Sequence, residues 1–151
     1  MNITLCKVNY ENRSNYYSRS GNTKKVADAI AQALGQVSEA VTPDYPLENV
    51  GILFLGAGAY ANKVDKRMTE FIRTLNSNRV KNVALFGTYG WHKNYLNYMR
   101  DLSEAQGINV IEETYSCKGK LFFFIYRNHP NDQDLRQAQE FAKVVYEKLK
   151  N

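Results

Sequence analysis

The hexapeptide SRSGNT at residues 18–23 lies within YYSRSGNTKKVA, residues 16–27. Two hydroxyl residues, Ser18 and Ser20, bracket Arg19, and Gly21, Asn22 and Thr23 follow. From Thr23 to Leu34 the apolar positions Val26, Ala27, Ile30, Ala33 and Leu34 recur at helical spacing, and Gly35 stands where a C-terminal cap belongs. The hexapeptide therefore opens a helix. Gly21 lets the backbone turn tightly and approach a ligand, and the N–H groups of the first helical turn have no intrahelical partners. Ser18, Ser20, Asn22 and Thr23 add short side-chain donors around the same point. Such a place suits a phosphate. Lys24 and Lys25 occupy the first turn, where they oppose the helix dipole unless an anion is there to be met. The competing reading is an ordinary Ser/Asn-rich turn that caps a helix. Neither GxxxxGK[ST] nor GxGxxG is present.

Working outward, the elements alternate. A short strand is expected at Gln36–Val41, then a turn-rich segment with Pro43 and Pro46. Val50–Leu55 is a compact apolar block without alternation, the mark of a strand buried on both faces. Lys63–Leu75 is predicted helical, with Val64, Met68, Phe71, Ile72 and Leu75 on one side. Val83–Phe86 is a second buried strand, Lys93–Gln106 a helix stopping at Gly107, and Ile108–Tyr115 a further strand. The last helix is expected at Asn131–Leu149, with Asp132 and Asp134 in its first turn and lysines at its end, in keeping with the dipole. The first strand has to feed into Ser18, yet YENRSNYY at 10–17 is polar for a central strand. Either this end of the sheet is partly uncovered, or residues 1–15 are locally unusual and Ile3–Val8 is the true start.

Strands alternating with helices of ten or more residues predict a parallel sheet covered on both faces. Ligands of such sheets bind beyond the carboxyl ends of the strands. Those ends are SRSGNT at 18–23, GAGAYAN at 56–62 and GTYGWH at 87–92. Tyr60, Tyr89 and Trp91 place rings in the second and third loops, where stacking on a planar ligand contributes about 1–3 kcal/mol per ring face. The alternative for each ring is simple packing in the core.

Composition sets the limits. At 151 residues, 44% hydrophobic and 13% aromatic, the chain suits one domain spanning residues 1–151. The formal charge of +5 and a pI near 9.1 suit an anionic ligand or an acidic partner. The basic residues form no run, which argues against nucleic acid. Cys6 and Cys117 have neither CxxC spacing nor a histidine cluster nearby, so no metal site is expected and the thiols are read as reduced. No leader is recognised, and the apolar runs around Ile52–Tyr60 and Leu121–Tyr126 are far below bilayer length, so a cytoplasmic protein without a membrane partner is expected. LFFFIY at 121–126 reads either as a covering segment after the fifth strand or as an exposed patch.

SRSGNT resembles the [ST]-x-[ST]-G-N-T phosphate loop of the flavodoxin family, and FGTYGW at 86–91 resembles the segment of short-chain clostridial flavodoxins that carries a tryptophan beside the flavin. CKGK at 117–120 with NHPNDQDL at 128–135 is similar to segments of small flavodoxin-like proteins of anaerobes. The resemblance covers about Tyr10 to Leu149. It implies a doubly wound α/β fold with a five-stranded parallel sheet in the order 2-1-3-4-5, binding one FMN. Ser18, Arg19, Ser20, Gly21, Asn22 and Thr23 would form the phosphate loop, and Tyr60 and Trp91 would flank the ring. The backbone of Ala59, Tyr60, Ala61 and Asn62 and of Thr88, Tyr89 and Gly90 would contact its edge. The implied function is electron transfer to or from a partner protein, as a monomer. The alternative is an FMN-dependent oxidoreductase acting on a small molecule, with His92 as proton donor. Ala61 stands where related flavodoxins often carry a glycine, and a Cβ there implies weaker stabilisation of the one-electron-reduced flavin. The basic charge implies an acidic redox partner and a less negative potential for full reduction.

Overall fold

A computed structural model of the protein describes residues 10–42, 47–59, 63–90, 94–120 and 126–150. In chain order the elements are β1 (Glu11–Tyr17), α1 (Asn22–Ala33), β2 (Glu39–Ala40), β3 (Val50–Gly58), α2 (Lys66–Arg73), β4 (Val80–Tyr89), α3 (Tyr95–Ala105), β5 (Asn109–Val110), β6 (Tyr115–Lys118) and α4 (Asp132–Lys150). Every described strand pair is parallel, and the strands lie in the order β2-β1-β3-β4-β5, with β6 also on β4. This is the expected α/β sheet, with one difference at its edge.

The strand expected at Ile108–Tyr115 is two short pieces. Val83 to Phe86 covers three steps on β4, whereas their partners Val110 and Tyr115 are five steps apart, so the ladder cannot run through. Ile111 stays buried and donates its N–H to the Val83 carbonyl at 2.8 Å. Arg100 Nη2 donates to the carbonyls of Ile111 (2.9 Å) and Glu112 (3.3 Å), which supplies part of the missing pairing.

β3 and β4 are buried on both faces, as their apolar blocks require. Ile52, Phe54, Ala84 and Phe86 pack under α1 and α4, while Leu53, Leu55, Val83 and Leu85 pack under α2 and α3. Two glycines let the strands close. A Cβ on Gly56 would lie 2.1 Å from Phe86 Cε2, and one on Gly87 would lie 2.3 Å from the Ala57 carbonyl oxygen.

β1 is the polar segment itself, and the partly uncovered sheet is the explanation. β2 pairs with it only at Asn15 and Tyr16, so Glu11–Ser14 has β3 as its one strand neighbour among the described residues. Arg13 reaches Glu11 at 2.6 Å and Glu39 at 3.6 Å on this open side. Ser14 is buried and donates its hydroxyl to the Ala27 carbonyl at 3.0 Å. Asn15 is buried with no hydrogen-bond partner for Oδ1. Ile3–Val8 and residues 121–125 of the apolar run lie outside the described residues.

Candidate functional site

β1 ends at Tyr17 and α1 begins at Asn22, so residues 18–21 make the turn at the carboxyl edge of the sheet. Gly21 adopts φ 89° and ψ −4°, a left-handed conformation that glycine takes without cost. Its N–H donates to Ser18 Oγ at 3.0 Å, which folds the turn back on itself. No side chain caps α1, and its first turn holds no carboxylate. α2 and α4 begin differently: Asp65 Oδ1 accepts the Arg67 N–H at 2.9 Å, and Asn131 and Asp134 bond each other's backbone N–H groups through their side chains at 2.9 and 2.8 Å. α3 also lacks a side-chain cap. Among the described residues no carboxylate stands against the positive end of α1, a place that suits a phosphate.

Three loops meet over this turn. Thr23 Oγ1 lies 2.9 Å from Thr88 Oγ1, both residues buried, and ties the first loop to the end of β4. The Ala59 N–H donates to the Thr88 carbonyl at 3.0 Å, which ties in the second. A small cavity of about 60 Å³ brings together Ser20, Asn22, Ala59, Thr88, Tyr89 and Gly90, all expected at the site, and adds Gly58, Gly119 and Lys120. A larger cavity of about 500 Å³ opens between the starts of α2 and α3, lined by Lys63, Val64, Lys66, Thr69, Asn94, Tyr95 and Tyr98. Tyr60, Ala61, Asn62, Trp91 and His92 lie outside the described residues.

The profile described as Flavodoxin domain matches residues 15–122. The chain belongs to the flavodoxin family. It is 32% identical over 143 residues to an uncharacterized protein of Methanocaldococcus jannaschii, covering 86% of this chain and 91% of that one. A Clostridium beijerinckii protein named flavodoxin is 29% identical over 140 residues, covering 86% and 95%. The solved structure of a flavodoxin from the domain Archaea superposes with a TM-score of 0.73 at 22% identity, covering 93% of this chain and 99% of that one.

Within this flavodoxin fold the motif side chains hold the loops to one another. Asn22 Nδ2 donates to the Lys120 carbonyl at 3.0 Å, and the Gly119 N–H donates to the Tyr89 carbonyl at 3.1 Å. A Cβ on Gly119 would lie 2.8 Å from Asn22 Nδ2, so glycine is what lets this third wall approach. Sequence reading missed Gly119 and Lys120 as site residues because it ended the edge strand at Tyr115, three residues short. Arg19 does not point its charge into the turn alone. Its Nη2 lies 2.5 Å from Asp65 Oδ2, and Arg67 Nη1 donates to Tyr17 Oη at 2.9 Å, so the turn at residues 18–21 is braced against the start of α2.

Burial pushes Asp65 up, but the Arg67 N–H and the Arg19 guanidinium outweigh it and hold the carboxyl below its ordinary value. Burial pushes the Cys117 thiol up to about 12, which makes it an inert packing residue. Burial also raises Tyr95, whose hydroxyl lies 3.0 Å from Ser116 Oγ. Among the described residues no cluster of three His, Cys, Asp or Glu side chains is placed to hold a metal, and no helix is long and apolar enough to cross a membrane.

Proposed function

We propose that this flavodoxin-family chain binds one FMN and carries electrons to or from a partner protein. The observation that carries the reading is the start of α1: a left-handed glycine turn, a helix end without a protein cap, and Ser20 exposed at the lip of the cavity. When bound, FMN supplies one- or two-electron chemistry at its ring. The chain's own residues bind and orient it. Asn22 and Thr23 present backbone N–H groups to the phosphate and Ser20 adds a hydroxyl, while Ser18, which accepts the Gly21 N–H, shapes the turn and Arg19 braces it. The backbone of Ala59, Thr88, Tyr89 and Gly90 lines the route from the phosphate towards the ring. Tyr60, Ala61, Asn62 and Trp91 take the ring contacts that the family resemblance implies. A single cytoplasmic domain over residues 1–151, monomeric and with an acidic protein partner, completes the reading.

The test is the visible spectrum of the purified chain after mixing with excess FMN and desalting. A retained, perturbed two-band flavin spectrum is expected. A colourless protein overturns the reading. A second reading, an FMN-dependent oxidoreductase acting on a small molecule, is favoured by the cavity of about 500 Å³ beside the third loop. Steady-state oxidation of NADH by small quinones through the loaded protein supports that reading. Rapid exchange with protein acceptors and no such turnover supports the carrier.

A further inference from the structure

Each helix of this fold returns antiparallel to the strand before it, so the carboxyl ends of the strands and the first turns of the helices share one end of the molecule. Charge at that end is unbalanced. Lys25 in the first turn of α1, Lys63 ahead of α2, Lys118 at the end of β6 and Arg127 ahead of α4 are exposed, and no described carboxylate pairs with any of them. Lys118 instead lies over the Tyr126 ring, 4.6 Å from its centroid. Among the described residues at this end, Asp65 is engaged by Arg19 and Asp134 by His129 Nδ1 at 2.7 Å, while Asp132 is exposed. At the opposite end Glu11 and Glu48 pair with Arg13 and Arg79, while exposed Arg73 and Lys81 have no described carboxylate and make that end a control surface.

We propose that this rim of cations is the docking surface for an acidic patch on a protein redox partner. The inference rests on the flavin reading of the site and names the chemistry of its partner. Four exposed cations from four separate segments share the end of the molecule that carries the loop cluster, an arrangement that meets clustered carboxylates around a partner's own redox centre and not a linear row of phosphates. Exposed charges of this kind act on encounter rate and are screened by salt within about 8 Å at physiological ionic strength.

The test uses FMN-loaded protein, reduced with dithionite and mixed in a stopped-flow instrument with ferricyanide, an anion, or hexaammineruthenium(III), a cation. The ferricyanide rate is expected to fall about tenfold from low to physiological salt, and the ruthenium rate to rise. The double variant Lys63→Glu/Arg127→Glu is expected to flatten or invert both slopes. Lys81→Glu, an equal change per site at the far end, should leave them as they are. Slopes of the opposite sign, or an equal effect of Lys81→Glu, overturn the proposal. On the FMN-free chain, poly-L-glutamate should bind the wild type and Lys81→Glu at least about tenfold more tightly than the double variant. Tighter binding to phosphatidylserine vesicles than to poly-L-glutamate overturns the protein partner in favour of a lipid surface. A chain that retains no FMN shows this in its spectrum before any kinetics, and the poly-L-glutamate arm still decides the docking surface.

Discussion

Gly119→Ala separates cofactor binding from stability. The added Cβ would lie 2.8 Å from Asn22 Nδ2 and 3.2 Å from Asn22 Cβ and Cγ. Gly119 is not in the left-handed region, so alanine can adopt its backbone, and the stiffer unfolded chain favours the variant by about 0.4–1 kcal/mol. Against this, Asn22 Nδ2 must leave the Lys120 carbonyl, which costs about 0.5–1.5 kcal/mol for a bond now 3.0 Å long. The two terms nearly cancel in the FMN-free protein, so the urea midpoint is expected to hardly move. FMN affinity is not protected by that cancellation. Asn22 is the first residue of α1, and shifting it moves the helix end that meets the phosphate, so a loss of about 1.4 kcal/mol, roughly tenfold in Kd, is expected. Flavin fluorescence quenching measures that constant directly. In an Asn22→Ala background only one close contact, with Cβ, survives, and Gly119→Ala should then weaken FMN by far less. An equal weakening in both backgrounds would refute the reasoning.

Gly56→Ala is expected to destabilise the protein by about 1–3 kcal/mol in urea unfolding, because its Cβ falls 2.1 Å from the buried Phe86 ring, and Phe86→Leu should recover part of the loss. Asn15→Val removes a buried carbonyl oxygen that lacks a donor and should raise stability by about 1 kcal/mol; a lower urea midpoint would mean that Oδ1 has a partner in solution. Ser20→Ala should weaken FMN binding while leaving the thermal midpoint alone, whereas Thr23→Val, which breaks the buried contact with Thr88, should lower that midpoint. Asp65 has a folded pKa below its ordinary 3.8, so its contribution is present above that pH and is lost as the pH falls through the folded value. Asp65→Asn should therefore be less stable than wild type at neutral pH, with the difference closing below about pH 4 in urea titrations.

The helices and the buried strands were legible because their signals are periodic and local. Val26, Ala27 and Ile30 mark the inner side of α1, and the run from Ile52 to Leu55 marks β3, without any knowledge of neighbours. The split of the edge strand was not legible. It comes from a mismatch of register between Val83–Phe86 and Val110–Tyr115, a relation between two strands that no single window contains. The same misplacement hid Gly119, whose reason for being glycine lies nearly a hundred residues away at Asn22. The Arg19 to Asp65 contact was invisible on the same ground, since the sequence shows a cation in a phosphate turn and not the carboxylate that orients it.

The polarity of β1 and the chemistry of the turn that follows have a common physical origin. A strand that ends in a ligand turn needs its last residues fixed from both sides, and here the fixing groups are polar: Ser14 to the Ala27 carbonyl, Tyr17 to Arg67, and Arg19 to Asp65. β2 contributes only two residue pairs among the described residues, and these side-chain bonds tie β1 and its turn to α1 and the start of α2. The SRSGNT hydroxyls and amide continue that pattern, with Ser18, Asn22 and Thr23 each bonded to the protein and only Ser20 standing exposed at the cavity lip. Under the proposed FMN reading, anion recognition would fall chiefly to the backbone N–H groups of α1, whose positions the side chains fix in advance. Under the proposed reading, a hydroxyl of this motif would serve affinity mainly by holding the turn that presents those N–H groups.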